Sequence, residues 1–328
     1  MKILIVGYGS IGKRHFANLV RLGYSDIVLY TKNPQAKKLV KTGTKIINSL
    51  NLAVKENPDI CIICNETSLH ISTAIKLAKN NCHLFIEKPL SNSLKNTNDL
   101  LKIVKRKKLL TMIGCNMRFH DGIKKIKTLL EKNEIGRVYS VNAENGSFMP
   151  NWHPRENYQI SYASRKRLGG GVVLTQIHEI DYLYWFFGKV SEVFSYSEKI
   201  SDLKLDVEDY SGSLIKFKNN IIGEIHLDYF QKPSVRTCKI HGTKGKIIWN
   251  WENNHLQVFK NNKNKFYTKH FEKKFDRNKM YLEELNYFLN CIKNKKTPMN
   301  SLYDAIEIQK IALCIKDSSK TGKKIRLK

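Results

Sequence analysis

The 328-residue chain lacks an apolar run of the roughly 20 residues that a membrane-spanning helix needs. Its first apolar run ends at the glycines that begin at residue 7. This run is shorter than the apolar core of a signal peptide, which has about 7–15 residues. Linkers rich in proline, glycine or serine are missing as well. These absences predict a globular protein that neither crosses nor binds a membrane.

Cysteine is scarce and scattered. Seven cysteines stand at irregular intervals, which is typical of reduced thiols and predicts a location in the cytoplasm. Cys61 and Cys64 have the spacing of a metal or redox pair, but they lie in an apolar run that predicts a buried strand. Because no second pair accompanies them, we interpret both as core residues and predict no metal site.

Acidic residues are also few, with 29 Asp and Glu against 57 Lys and Arg and a net charge of +28. Such an excess attracts phosphates, so nucleic acid is one hypothesis for the partner. The lysines are dispersed, however, and no nucleic-acid-binding motif is present. We therefore predict no nucleic-acid partner and note that the same field would favour an anionic small substrate.

The most informative segment that is present is Gly-Tyr-Gly-Ser-Ile-Gly at residues 7–12, directly after an apolar run. The first glycine permits a tight turn, the second lets a pyrophosphate approach the backbone, and the third allows a helix to pack closely on the strand. The free N–H groups of that helix would bind the phosphates. The predicted dinucleotide site includes Gly7, Gly9, Ser10, Ile11 and Gly12.

Residues 1–118 alternate short apolar runs with amphipathic stretches. This alternation predicts an α/β domain, a Rossmann-type doubly wound parallel sheet whose ligands bind at the carboxyl ends of the strands. The predicted strands are 2–6, 26–30, 45–47, 60–64, 83–86 and 110–114, and the predicted helices are 13–22, 34–42, 50–57, 68–80 and 94–107.

Residues 119–328 predict a second, α+β domain with a large open, mainly antiparallel sheet. The predicted strands are 138–146, 191–198, 210–217, 221–229, 234–241 and 245–250, and the predicted helices are 122–132, 172–187, 278–293 and 301–318. An uncovered sheet face favours a homo-oligomer, either a dimer or a tetramer.

Glu87-Lys88-Pro89 follows the predicted strand 83–86. A lysine at the ligand-binding edge of a sheet can act as an acid or base when its surroundings lower its pKa from about 10.4. On its own, the tripeptide would indicate only a solvated strand end.

Five motifs, however, occur in a fixed order along the chain. They are the glycine turn, Asn-Glu-Thr-Ser-Leu-His at 65–70, Glu-Lys-Pro at 87–89, Asn-Met-Arg-Phe at 116–119, and three glycines at 169–171 followed by His-Glu-Ile-Asp at 178–181. This arrangement resembles the glucose–fructose oxidoreductase/inositol dehydrogenase (Gfo/Idh/MocA) family over nearly the whole chain.

The resemblance implies a Rossmann domain followed by an open-sheet domain, and oxidation or reduction of a sugar with a nicotinamide coenzyme. It implies that Lys88 and His178 are the catalytic residues that handle the proton. The coenzyme-binding residues implied outside the glycine turn are Asn65, Thr67, His70, Glu87 and Lys88.

The sequence around His178 supports a catalytic role independently. On the predicted helix 172–187, Thr175, His178 and Tyr182 share one face, and a histidine there can exchange a proton with an alcohol near neutral pH. Asp181 would orient His178 or form an ion pair elsewhere. Many members of the family carry an aspartate about one turn before the histidine, where this chain has Leu174 and Thr175. Either Lys88 and His178 suffice, or the chemistry differs from the usual alcohol oxidation.

The loop at 151–167 is rich in aromatic and basic residues. Aromatic rings offer flat surfaces to a sugar, and arginines bind phosphates or carboxylates through paired hydrogen bonds. A packed loop with solvated charges is the alternative. The loop resembles that of relatives from nucleotide-sugar and sialic-acid-like pathways, which implies an anionic or activated sugar. The predicted substrate-binding residues are Arg118, Trp152, Tyr158, Arg165, Thr175 and Asp181.

The end of the second predicted strand bears on the choice of coenzyme. An acidic residue there would bind the ribose 2′-hydroxyl of NAD, and none is present. Thr31 and Lys32 would instead bind a 2′-phosphate, which favours NADP over NAD, although Lys32 is also one lysine among many.

The sequence thus predicts an NAD(P)-dependent dehydrogenase or reductase that acts on a CH–OH group of a sugar or nucleotide-sugar. The alternative is a catalytically inactive NADP-binding sensor or assembly subunit, for which the missing aspartate is the argument.

Overall fold

The structure is a computed structural model that describes residues 1–154, 156–272 and 275–327. Arg155, in the predicted substrate loop, lies outside the described residues. The chain divides into two compact units. Unit 1 comprises Met1–Asn116 and Arg277–Gln309, and unit 2 comprises Met117–Asp276 and Lys310–Lys328.

The described residues form 15 β-strands and nine α-helices. The strands are β1 (Ile3–Val6), β2 (Ile27–Tyr30), β3 (Lys45–Ile47), β4 (Ile60–Ile63), β5 (His83–Glu87), β6 (Thr111–Gly114), β7 (Val138–Gly146), β8 (Val190–Glu198), β9 (Tyr210–Phe217), β10 (Ile222–Asp228), β11 (Val235–Gly242), β12 (Gly245–Asn250), β13 (His255–Lys260), β14 (Lys265–His270) and β15 (Ile325–Arg326). The α-helices are α1 (Ser10–Arg21), α2 (Leu50–Lys55), α3 (His70–Lys79), α4 (Thr97–Arg106), α5 (Asp121–Glu131), α6 (Val172–Thr175), α7 (His178–Phe187), α8 (Arg277–Lys293) and α9 (Leu302–Thr321).

Unit 1 is built on a six-stranded sheet in the order β3-β2-β1-β4-β5-β6. Every neighbouring pair is parallel, which confirms the predicted Rossmann sheet. The strands β1 and β4 are buried along their whole length, because both faces of a parallel sheet are covered by helices. The segment Pro34–Thr42 is a 3-10 helix and not the α-helix that its pattern predicted.

The chain returns to unit 1 after unit 2, a feature that the predicted division at residue 118 does not contain. Helix α8 packs on α1, where Asn18 and Asn278 exchange side-chain hydrogen bonds. The segment before α9 then reaches β6, since Asn300 donates to the carbonyl of Ile113 at 3.0 Å.

Unit 2 contains a nine-stranded sheet in the order β14-β13-β12-β11-β7-β10-β9-β8-β15. Only β7 and β10 pair in parallel, so the prediction of a mainly antiparallel sheet is confirmed. The pattern did not reveal β13, β14 or β15. Strand β14 is exposed at all six positions and β15 has two residues, so neither carries the alternation of apolar and polar residues that identifies a strand.

The single helix predicted over residues 172–187 is wrong. Helix α6 ends at Thr175, and Gln176 leaves the helical region with φ −98° and ψ 33° before α7 begins at His178. Thr175 and His178 therefore do not share the face of one continuous helix. No helix among the described residues is both long and apolar enough to cross a bilayer.

Candidate functional site

The turn between β1 and α1 is shaped by three glycines with different surroundings. Gly7 has φ +98°, and a Cβ there would lie 2.7 Å from the carbonyl oxygen of Cys64. A Cβ on Gly12 would overlap the carbonyl oxygen of Gly7. These two glycines let the turn pack against β4 and α1. Gly9 is different: apart from its chain neighbours, no atom of the described residues lies within 4 Å of an added Cβ, so its face is open.

The N-terminus of α1 follows this open position. The helix begins at Ser10, and its N-cap residue, Gly9, has no side chain that could accept a hydrogen bond from the first N–H groups. The first N–H groups of a helix have no partners within the helix and carry its positive dipole end. An open glycine before an uncapped helix fits the pyrophosphate of a dinucleotide, which would accept hydrogen bonds from these groups.

The end of β2, where the adenosine ribose binds in such folds, carries hydroxyl, amide and ammonium groups. The hydroxyl of Thr31 accepts a hydrogen bond from Asn33 N at 3.0 Å, and the Asn33 amide donates to the carbonyl of Tyr8 at 2.9 Å. Lys32 is exposed beside them. No Asp or Glu occurs in the sequence between Asp26 and Glu56, so this part of unit 1 has no carboxylate for a ribose hydroxyl.

His70 joins the two loops that follow β4 and β5. Its ring nitrogens lie 3.0 Å from the carbonyl oxygen of Asn65 and 2.9 Å from that of Pro89. Burial lowers the pKa of His70, although both carbonyls favour its protonated form. Asn65 in turn donates to Thr73 at 3.1 Å, and Thr67 is buried. Contact of Asn65, Thr67 or His70 with a coenzyme stays a prediction; the structure shows that His70 connects the two loops.

Lys88 follows the last residue of β5 and is half-buried. The preceding carboxylate, Glu87, is 6% exposed and lies 2.6 Å from Nε2 of His15 on α1. The sequence analysis did not identify His15. Only its position in the sequence could have indicated a buried residue, since His15 stands three residues after the last glycine of the turn, on a helix that must face the sheet.

In unit 2, Arg118 and Asp181 are brought together. The Nε and Nη2 atoms of Arg118 donate to the Asp181 carboxylate at 2.9 and 2.8 Å, and both side chains are buried. The guanidinium also lies over the ring of Trp185, 5.5 Å from its centroid. The structure thus shows an ion pair for Asp181, while direct substrate contacts of Arg118 and Asp181 stay predictions.

A second buried ion pair stands beside His178. Glu179 is fully buried, accepts a hydrogen bond from Arg236 Nε at 2.7 Å and another from Asn145 at 3.2 Å. Burial raises the pKa of Glu179, and Arg236 opposes that increase. His178 itself is half-buried. The first turn of α7 is therefore held by charged partners on two other elements while its histidine remains partly accessible.

Thr175 and Trp152 meet at Tyr229, another residue that the sequence analysis missed. Burial raises the pKa of the Tyr229 hydroxyl, and the neighbouring Thr175 side chain opposes the increase. The Trp152 ring stands edge-on to Tyr229 at 5.2 Å, and its Nε1 donates to Ser147 at 2.9 Å. These contacts fix the start of the loop that was predicted to bind substrate.

The rest of that loop is attached to the segment before β9. The Tyr158 hydroxyl accepts a hydrogen bond from Lys204 N at 3.2 Å. Arg165 lies 3.8 Å from the Asp206 carboxylate, and both side chains are partly exposed. Tyr158 and Arg165 are accessible enough to reach a ligand, and their predicted contact with substrate stays a prediction.

Two family descriptions together match almost the whole chain. The description "Oxidoreductase family, NAD-binding Rossmann fold" matches residues 1–153, and "Oxidoreductase family, C-terminal alpha/beta domain" matches residues 127–327; both describe Gfo/Idh/MocA proteins. The chain belongs to the Gfo/Idh/MocA oxidoreductase family. The predicted family and the predicted order of the two domain types are confirmed.

Individual members of the Gfo/Idh/MocA family resemble the chain over its full length. Myo-inositol 2-dehydrogenase of Thermotoga maritima is 24% identical and is aligned over 100% of this chain and 98% of its own. A solved levoglucosan dehydrogenase in complex with NADH and levoglucosan has a TM-score of 0.89 at 20% identity, covering 100% of this chain and 99% of its own. The WlbA dehydrogenase from Bordetella pertussis, in complex with NADH and UDP-GlcNAcA, has a TM-score of 0.84 at 18% identity with the same coverage.

Proposed function

We propose that this family member is an NADP-dependent dehydrogenase or reductase of an anionic or activated sugar. The observation that carries the proposal is the open face of Gly9 before the uncapped N-terminus of α1, which suits a dinucleotide. The relatives named above support a sugar-like substrate, since their names and bound molecules include inositol, levoglucosan and UDP-GlcNAcA.

The preference for NADP is supported by the end of β2. A 2′-phosphate would meet the exposed ammonium of Lys32 and polar groups at Thr31 and Asn33, with no carboxylate in the sequence from 27 to 55 to repel it. NAD would lack the acidic partner that its ribose hydroxyl commonly has in this fold. Arg and Lys side chains near this position are the usual means of accepting the additional phosphate.

Lys88 and His178 are the proposed proton-exchanging groups. A bound nicotinamide coenzyme supplies the donor or acceptor of the hydride. In the oxidation direction the neutral Lys88 amine or His178 imidazole would accept the proton of the substrate hydroxyl. In the reduction direction the Lys88 ammonium or the His178 imidazolium would donate a proton to the carbonyl oxygen. Where many members of the family carry an aspartate, this chain has Leu174 and Thr175. No carboxylate from that position therefore takes part in the proposed proton exchange.

An anionic or activated sugar is the substrate class that the loop residues favour. Trp152 and Tyr158 offer aromatic surfaces, and Arg165 is partly exposed with only a long contact to Asp206. The net charge of +28 adds an attractive field for a phosphate or carboxylate.

The predicted cytoplasmic location and homo-oligomer remain part of the proposal. The location is supported by seven cysteines that form no disulfide. The oligomer is supported by large apolar side chains exposed on β8, β9 and β10, namely Tyr196, Leu214 and Ile222.

The proposal is tested by following the nicotinamide absorbance with a panel of neutral, acidic and nucleotide-linked sugars. We expect turnover with NADPH or NADP and an anionic member of the panel. Lys88→Met and His178→Asn should each reduce kcat by about 100- to 10,000-fold while NADPH still binds. Tight binding of NADPH without turnover by the wild type would instead support the alternative of a sensor or assembly subunit.

A further inference from the structure

His15 is a buried polar residue that the proposed chemistry leaves unused. It is 0% exposed and lies on α1, between the rings of Phe85 at 5.2 Å and Tyr281 at 6.4 Å. A buried histidine nitrogen usually has a hydrogen-bond partner within the protein. Nε2 lies 2.6 Å from Oε1 of Glu87, and Nδ1 has no partner among the described residues. Since an ionised carboxylate only accepts hydrogen bonds, the contact with ionised Glu87 requires the proton of His15 on Nε2, which then donates to Oε1.

Strand β6 limits the space around the Glu87 side chain. Glu87 pairs with Gly114 in the sheet, and a Cβ on Gly114 would lie 2.9 Å from Oε1 of Glu87 and 3.0 Å from Phe85. Glycine at this position leaves the space that the carboxylate fills. The hydrogen bond from His15 and the space at Gly114 both favour this arrangement of Glu87, immediately before Lys88.

The same contacts connect Lys88 to the glycine turn. Helix α1 begins at that turn, and β1 and β5 are separated in the sheet by β4. The bond from His15 spans this distance and joins the helix to the strand end that carries Lys88. Catalytic groups must be held within fractions of an ångström, and a misplacement of about 1 Å can cost about 100-fold in rate.

We propose that His15, through Glu87, is a positioning residue that sets the place of Lys88 relative to the coenzyme-binding turn. The proposal rests on the proposed function, in which Lys88 exchanges a proton. It assigns to His15 no contact with coenzyme or substrate.

The test compares His15→Phe, which keeps a ring but has no donor, with His15→Gln, whose amide can donate to Glu87. We expect His15→Phe to reduce kcat about 10- to 100-fold, with the Kd for NADPH changed less than about threefold, and His15→Gln to recover most of kcat. Combined with Lys88→Met, His15→Phe should reduce kcat no further, because both changes remove the same contribution. A fall in melting temperature with kcat unchanged, or additive losses, would show that His15 is merely structural and overturn the proposal.

Crystal structures provide a readout that needs no activity. In His15→Phe we expect Glu87 to turn away from Gly114 and Lys88 to shift relative to Gly9, and in His15→Gln we expect both to remain in place. Gly114→Ala, whose added Cβ would lie 2.9 Å from Oε1 of the same carboxylate and displace it, serves as the second variant if His15→Phe does not fold. An unmoved Glu87 and Lys88 would overturn the positioning role. Absence of turnover in the wild type with a shifted Lys88 in the variant would overturn the proposed function and leave the positioning role supported.

Discussion

Arg118 and Asp181 form a two-point ion pair inside unit 2, with donor–acceptor distances of 2.9 and 2.8 Å. Asp181 lies one turn after His178 on α7, while Arg118 follows β6 in the sequence. The pair therefore fixes α7, and with it His178, to the segment that leads into α5.

Removing one member of the Arg118–Asp181 pair should lower the free energy of unfolding. Asp181→Ala leaves the Arg118 guanidinium buried without its carboxylate, so we expect the free energy of unfolding to fall by about 3–5 kcal/mol. The double variant Arg118→Met/Asp181→Leu should recover much of this loss, because two apolar side chains can fill the same space. Denaturant titration measures both. The matched control is Arg165→Ala, whose partly exposed pair with Asp206 should contribute at most about 1 kcal/mol. Equal small losses in Asp181→Ala and Arg165→Ala would contradict this account.

His120 should make stability depend on pH. It accepts a hydrogen bond from Gly122 N at 3.0 Å and packs against Trp251 and Phe275. Burial, and to a smaller extent the nearby Arg236 charge, lowers the pKa of His120 to about 3. Between about pH 6.5 and 3 the unfolded chain then binds a proton that the folded chain does not. The contribution of neutral His120 to the free energy of unfolding is complete above about pH 6.5. It is lost as the pH falls, at up to about 1.4 kcal/mol per pH unit.

The comparison that isolates this effect uses His120→Asn, which keeps an acceptor for Gly122 but does not titrate. We expect the unfolding free energy of the wild type to fall more steeply than that of the variant between pH 6.5 and 4. Any constant loss from the smaller side chain does not alter that slope. Parallel curves would show that His120 is not the group responsible.

Lys32 should decide the choice between the two coenzymes. We expect Lys32→Ala to weaken NADPH about 10-fold, because a charge-assisted hydrogen bond contributes roughly 1.5–3 kcal/mol and an exposed lysine keeps only part of it. NADH should bind almost as before. Isothermal titration with both coenzymes measures the ratio.

Lys55→Ala is the matched control for Lys32→Ala, since it removes the same charge from an exposed lysine at the C-terminal end of α2. In a doubly wound sheet that end lies toward the amino ends of the strands, away from the ligand edge. If both variants weakened NADPH equally, the general field and not a 2′-phosphate contact would explain the effect.

The sequence predicted the Rossmann sheet well because its strands are short, continuous apolar runs between amphipathic segments. Strands such as β1 and β4 are buried on both faces, so each is a continuous run of apolar residues in the sequence. The sequence also placed Lys88 at the end of a strand, since Glu-Lys-Pro follows the three apolar residues at 84–86.

The partners of the candidate residues could not be predicted in this way. The pairs Arg118–Asp181, Glu179–Arg236 and His15–Glu87 join residues 63, 57 and 72 positions apart, and periodicity carries no information on such contacts. The break between α6 and α7 was hidden because Gln176 is an ordinary helix former, and only the contact of its amide with the carbonyl of Asp228 at 3.0 Å reveals its role.

The most direct measurement is a fluorescence titration of NADPH into the wild type and Gly9→Val. Gly9 has φ −78°, which any residue adopts, and no protein atom lies near an added Cβ. The variant should therefore fold and melt like the wild type, while its side chain occupies the place of the pyrophosphate. We predict saturable binding by the wild type and none by Gly9→Val. Absence of binding to the wild type, or equal binding to both proteins, would contradict the assignment of this turn as the coenzyme site.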